Sequence, residues 1–168
     1  MAKLFKTSDD IYEFITNEWS NTESSKIGVR LKVISTQKAK QILKLSKASA
    51  TTEYLIREQD VLTLVVYEEA WDRLSEMNKI LLLKGIFSVV SYDTEKERLI
   101  IDNRPYADLF NMRHTKDANG NEYLDQYDNT LETCALLLQQ IEDEQKQAKE
   151  EEKVRKAEER AAKKAQKN

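Results

Sequence analysis

A chain of 168 residues with 40% hydrophobic side chains is long enough to bury one real core, which excludes a disordered polymer. The longest apolar runs, LTLVVY and ILLL, fall far short of the ~20 residues that span a bilayer, so no membrane partner is expected. The net charge is −3, and a single cysteine, Cys134, cannot form an internal disulfide, which suits a reducing, cytoplasmic setting.

Three glycines and one proline leave few tight turns, so helices can run long. The start, MAKLFKTSDD, turns polar at once and shows no signal-peptide apolar stretch. Ser8 before DDIYEFITNEW reads as a helix N-cap with acids at the positive end of the dipole. Ile11, Phe14, Ile15 and Trp19 give that helix one apolar face. NTESSK reads as a loop. IGVRLKVIS alternates Val29, Leu31 and Val33 against Arg30 and Lys32, the pattern of a half-buried strand. TQKAKQILKLSKA returns to helical spacing through Ala39, Ile42 and Leu43. VLTLVVY is apolar on both faces and predicts a central strand. EEAWDRLSEMNKILLLKGIF is helical with a break near Ser75. SVVSY and RLIID, joined by DTEKE, predict a hairpin. Pro105 marks the exit, YADLF a short helix or turn, and Asn119-Gly120 a turn.

The character changes near Asp128. Asn129 or Thr130 can cap a helix that meets no breaker before the chain ends. Leu131, Cys134, Leu138 and Ile141 give it an anchoring face that stops at Ile141. Residues 142–168 carry 8 acidic and 9 basic side chains. Glu142/Lys146, Glu151/Arg155, Glu152/Lys156 and Glu159/Lys163 stand four apart with the acid first, and each such pair supports a lone helix by ~0.2–0.5 kcal/mol. No sustained apolar a/d seam accompanies them, which argues against a coiled coil. The expected fold is α+β: one domain over 1–128 with a sheet of about four strands and several helices. A long charged C-terminal helix follows over 129–168, solvated beyond 141. Truncation after Glu144 is then expected to spare folding.

Catalytic chemistry finds little to work with. One histidine, His114, and one cysteine cannot make a zinc site, which takes several such ligands. Glu68, Glu69 and Asp72 after the apolar strand are a candidate oxygen-ligand set for magnesium, or simply a helix start rich in acids. Asp93, Glu95 and Glu97 fall in the hairpin turn, where acids are solvated. DANGNEYLD lacks the ligand spacing and terminal glutamate of a calcium loop. Cys134 lies on an apolar helix face, as an inert thiol does. Gly28, Gly85 and Gly120 are isolated and form no phosphate loop; Gly85 is expected to end its helix or let it pack closely. No catalytic residue, cofactor or metal is therefore implied.

The stretch VLTLVVYEEAWDRLSEMNKILLLKGIFSVVSYDTEKERLIID resembles a group of small bacteriophage proteins, some labelled putative metallopeptidases. The likeness lies in a strand, a W-x-x-L segment, a helix and a YD-x-EK hairpin, about 45 residues in all. In zinc peptidases the helix carries two histidines and a glutamate. Here it reads MNKILLLKGIF and supplies none of them. The resemblance implies phage origin and a scaffold without peptidase function, with Ile80, Leu81, Leu83 and Phe87 as packing residues.

Charge is the remaining signal. Ser24 to Thr52 holds seven basic residues and no acid: Lys26, Arg30, Lys32, Lys38, Lys40, Lys44 and Lys47. Glu53 to Glu76 holds seven acids against two arginines, and Asp117 to Glu132 holds five acids and no base. Lys40, Lys44 and Lys47 are expected on one helix face, and Arg30 and Lys32 on one strand face. The tip adds Arg160, Lys163, Lys164 and Lys167, cations that also suit the negative end of a helix dipole. Neighbouring acidic segments can neutralise the basic run within the fold. Otherwise it meets a partner. The expected function is a non-enzymatic protein-interaction module binding a host or phage protein, with a nucleic-acid-binding accessory role as the alternative.

Overall fold

An alternating segment, Arg30–Thr36, and an apolar run, Val61–Tyr67, lie side by side as parallel strands at the centre of a mixed sheet. The structure is a computed structural model, and it describes residues 3–49, 51, 53–54, 60–93, 95–96, 98–101, 120 and 122–165. For 123–124 and 159–165 it describes backbone alone. In chain order the elements are β1 (Leu4–Phe5), α1 (Asp9–Ser20), α2 (Glu23–Lys26), β2 (Arg30–Thr36), β3 (Leu43–Lys47), β4 (Val61–Tyr67), α3 (Glu68–Asp72), α4 (Glu76–Ser88), β5 (Val90–Asp93), β6 (Arg98–Ile101) and α5 (Tyr123–Ala165). The chain is thus α+β, with a long C-terminal helix. The YADLF segment with Pro105, and also Glu97, His114, Asn119 and Lys167, lie outside the described residues.

The four-stranded sheet runs β1-β2-β4-β3, and the β5–β6 hairpin is a separate two-stranded sheet. Register decides which side chains meet. Leu31 stands opposite Leu62, Val33 opposite Leu64 and Ser35 opposite Val66, while β3 adds Leu43 and Leu45 to the same face. This face is the core, covered by Ile11, Ile15 and Trp19 of α1 and by Leu82, Leu83 and Phe87 of α4. Trp19 and Phe87 meet edge to face, with ring centroids 5.0 Å apart. The opposite parity holds Arg30, Lys32, Ile34, Thr63, Val65, Lys44 and Ser46, exposed or half-buried, with Val61, Thr36 and Tyr67 buried at the strand ends.

Several local expectations yield to tertiary contacts. The helix expected over residues 36–48 is not formed. Lys, Gln and Leu favour helix locally, but Leu43 and Leu45 alternate with Lys44 and pair along β4. Ile42 joins them, its carbonyl accepting from the Tyr67 N–H at 2.8 Å. The NTESSK loop contains α2, which Thr22 caps by accepting from the Ser25 N–H at 3.2 Å. Ser8 does sit at the N-cap of α1, but its side chain makes no capping bond. α5 starts at Tyr123, so neither Asn129 nor Thr130 caps it. The Thr130 hydroxyl is buried instead, donating to the Gln126 carbonyl at 2.9 Å and lying 3.2 Å from Asn78 Oδ1. The break at Ser75 is present, with Ser75 Oγ accepting from the Asn78 N–H, and so is the hairpin.

α5 crosses α4 at a single glycine. A Cβ on Gly85 would stand 2.2 Å from the Tyr127 ring, so only hydrogen fits there. Ordinarily Gly→Ala inside a helix gains roughly 0.5–1 kcal/mol. Overpacking a tight core costs roughly 1–3 kcal/mol, so the clash wins. Gly85→Ala should lower the urea midpoint. Trimming the opposing ring in Gly85→Ala/Tyr127→Leu should recover part of the loss relative to Tyr127→Leu alone. An unchanged midpoint in Gly85→Ala would show that α4 and α5 do not pack this closely.

Candidate functional site

The three carboxylates that follow β4 part company. Glu68 Oε1 accepts from the Ser35 hydroxyl at 2.6 Å and from the Ser8 backbone N–H at 3.0 Å. Ser35, fully buried, also shares a 3.0 Å hydroxyl–hydroxyl bond with buried Thr7. Glu68 thereby fastens the entry to α1 onto the end of β2. Glu69 faces elsewhere: it accepts from the Tyr67 hydroxyl at 3.1 Å, from Gln145 Nε2 at 3.3 Å and from Arg73 at 3.2 Å. Asp72 lines a different, shallow hollow with Asp10, Phe14 and Trp71, beside Lys79, whose ammonium lies 5.6 Å from the Trp71 ring centroid. Among the described residues no group of three or more His, Cys, Asp or Glu side chains is placed to hold a metal ion. In the hairpin turn, Asp93 Oδ1 accepts from the N–H groups of Glu95 and Lys96 at 3.1 Å each.

The second cluster joins α5 to α3 and was not legible in the sequence. Arg73 donates to both carboxylate oxygens of Glu144, at 3.2 and 2.9 Å, while also holding Glu69. Gln145 Nε2 donates to the Tyr67 hydroxyl at 3.2 Å. The guanidinium holds the Glu144 carboxyl below its usual range, and burial followed by Glu69 raises the Tyr67 phenol. The anchoring face of α5 therefore does not stop at Ile141. It continues for one more turn as polar contacts, and the spacing of apolar residues alone could not signal that.

Above this cluster lies a cleft of about 610 Å³ between α5 and the β2–β3 loop, at the carboxyl end of β4. Ala39, Tyr67, Leu138 and Ile141 supply its apolar walls, and Lys38 and Lys40 stand on the loop side, both exposed. Glu142 and Gln145 line the helix side. Glu142 is 3.4 Å from Lys146. Neither lysine ammonium has an ion-pair partner among the described residues. The carboxyl ends of adjacent parallel strands are where α/β sheets commonly place ligands.

The basic run is dispersed, not gathered. Lys26 pairs with Glu23 at 2.6 Å on α2. Arg30 and Lys32 share the outer face of β2 as expected, with Lys44 of β3 on the same side of the sheet. Lys40, Lys44 and Lys47 do not share a helix face, because Lys40 is in the loop before β3 and Lys44 and Lys47 differ in strand parity. Arg160, Lys163 and Lys164 fall in helical backbone near the end of α5. Cys134 is buried between α5 and the core, and desolvation pushes its thiol up to about 11, which leaves it protonated at neutral pH. Tyr127 is buried too, its phenol pushed up to about 12, first by desolvation.

No known protein family, curated protein or solved structure matches the chain. Among the described residues, no helix is long and apolar enough to cross a membrane.

Two measurements follow from this geometry. A folded-state carboxyl value that is depressed adds stability above the unfolded value and loses it as pH falls through the folded one. The difference in melting temperature between the wild type and Glu144→Gln should therefore be present at neutral pH, vanish in acid and shrink with salt. A difference that persists in acid would show that Glu144 acts without its charge. Truncation after Lys146 should leave the melting temperature unchanged, whereas truncation after Asp143 should lower it by removing Glu144 and Gln145. Equal melting temperatures would return the end of the anchor to Ile141.

Proposed function

We propose that this protein is a non-catalytic, intracellular protein-interaction module: an α+β head that holds out a helix to a protein partner. The observation that carries the reading is the far part of α5. Beyond Gln145 the helix continues to Ala165, a further ~30 Å at 1.5 Å per residue. Every described side chain from 146 to 158 is exposed. Among the described residues, the side chains of 146–158 bury nothing within the chain, and the helix there is held by pairs such as Glu152–Lys156 at 2.5 Å. It adds reach and surface without adding to the core, which suits a spacer or a second contact. Exposed Leu136 and Val154 on the same helix add apolar contact points. The resemblance of residues 61–102 supports a phage origin, with a host or phage protein as partner. The assignments of Glu68 and Glu69 to hydrogen bonds within the fold support a non-catalytic role.

Nucleic-acid binding is the second reading, favoured by Arg30, Lys32 and Lys44 on one side of the sheet.

Affinity capture on the full chain, with and without nuclease, separates the two. A protein that stays bound after nuclease supports the module. Loss of all captured material on nuclease treatment, with retention of duplex or single-stranded DNA at low salt that weakens in Lys44→Glu, would replace it with the second reading. Calorimetric titration with magnesium or manganese should give no heat of binding. Tight binding that disappears in Glu69→Ala would reinstate a carboxylate-dependent enzyme.

A further inference from the structure

We infer that the cleft between α5 and the β2–β3 loop seats a short acidic segment of the protein partner, a carboxylate next to an aliphatic side chain. The inference rests on the interaction-module reading and names the chemistry of the partner. At about 610 Å³ the cleft is within the range of clefts that take up a ligand or a few residues of peptide. Its two walls differ in kind. Half-buried Ala39 and Leu138 offer an apolar floor to an aliphatic side chain, with Ile141 buried beneath them. Lys38 and Lys40 stand over that floor on the loop side.

Charge selects the occupant. The carboxylates nearby already have cations: Glu142 has Lys146, and Glu69 and Glu144 share Arg73. Lys38 and Lys40 have none among the described residues, so an incoming carboxylate displaces no existing pair there. Their exposed position makes them a rim that steers and orients an acidic segment. Gln139, at the helix side of the cleft, carries an amide that can meet the backbone of an extended segment. A nucleic-acid strand suits the cleft less well. Tyr67 is 3% exposed and its hydroxyl is already bonded, so no aromatic face is open for base stacking. A free phosphate would meet an apolar floor and no glycine loop of N–H donors.

The test is to pan a random octapeptide library over the immobilised full chain. Enriched peptides should place Asp or Glu beside Leu, Ile or Val. The tightest, labelled with fluorescein, should bind less well as salt rises, lose about tenfold or more in affinity in Lys38→Glu/Lys40→Glu, and bind unchanged to Lys44→Glu. Lys44→Glu makes the same kind of charge change on the outer sheet face, away from the cleft. Circular dichroism should match among all three, since the replaced side chains are exposed. Amide shifts on binding should concentrate at residues 38–40, 67 and 138–145. No enrichment, enrichment of basic or uncharged sequences, or an acidic peptide that ignores Lys38→Glu/Lys40→Glu would overturn the inference. If nuclease-resistant capture of a protein survives in Lys38→Glu/Lys40→Glu, the cleft is not the seat while the module reading stands. If the wild type captures no protein after nuclease, the module reading itself falls.

Discussion

Strand β4 is the element on which the rest depends. It is paired on both edges, parallel to β2 along its whole length and antiparallel to β3 over Leu62–Val66. Such a strand buries side chains on both faces: Leu62, Leu64 and Val66 on the core face are fully buried, and on the other face Val61 and Tyr67 are buried while Thr63 and Val65 are half-buried. Because β4 enters between two strands that precede it, the β2–β3 connection must cross over its carboxyl end. That crossing puts Lys38 and Lys40 above Tyr67. The turn out of β4 then aims Glu68 at Ser35 and Ser8 and sends Glu69 toward α5. One pairing arrangement therefore sets the core, the placing of the carboxylates and the wall of the cleft.

The attachment of α5 proceeds in two chemically different stages. Near its start the helix sits as close to α4 as Gly85 allows, and Thr130, Cys134 and Ile141 are buried. One turn later the burial ends and polar contacts take over, an ion pair from Arg73 and a hydrogen bond from Gln145. Apolar contact is not screened by salt, whereas a pair whose side chains are 36% and 46% exposed is. The helix thus has a firm root, a collar that responds to ionic conditions, and a solvated end. The cleft borders the collar, so whatever enters it meets the part of α5 that the head holds by charge.

Legibility followed the range of the interactions. α1 and β2 were readable from their periods of 3.6 and 2, β4 from an unbroken apolar run, and the Ser75 break and the hairpin from short polar stretches between apolar ones, all of them properties of adjacent residues. β3 was not, since residues 36–48 carry helix formers and an ambiguous apolar spacing that only pairing with β4 resolves. β1 is two residues long and carries no pattern at all. The expected count of about four strands in the sheet is met, but by β1 and β3 in place of the hairpin, which forms its own sheet.

For the site the division is sharper. The sequence by itself determined an α+β chain with a long charged terminal helix, a cysteine on an apolar face and a basic stretch over residues 26–47, because composition and short-range spacing carry those features. Only the tertiary structure decided where that basic stretch goes: Lys26 to an ion pair, Arg30, Lys32 and Lys44 to the outer sheet face, Lys38 and Lys40 to the cleft. Likewise Arg73 and Glu144 are separated by 71 positions and meet only once α5 has packed. A hydrogen bond between side chains so far apart leaves no local trace, since its geometry is set by how β4, α3 and α5 come together.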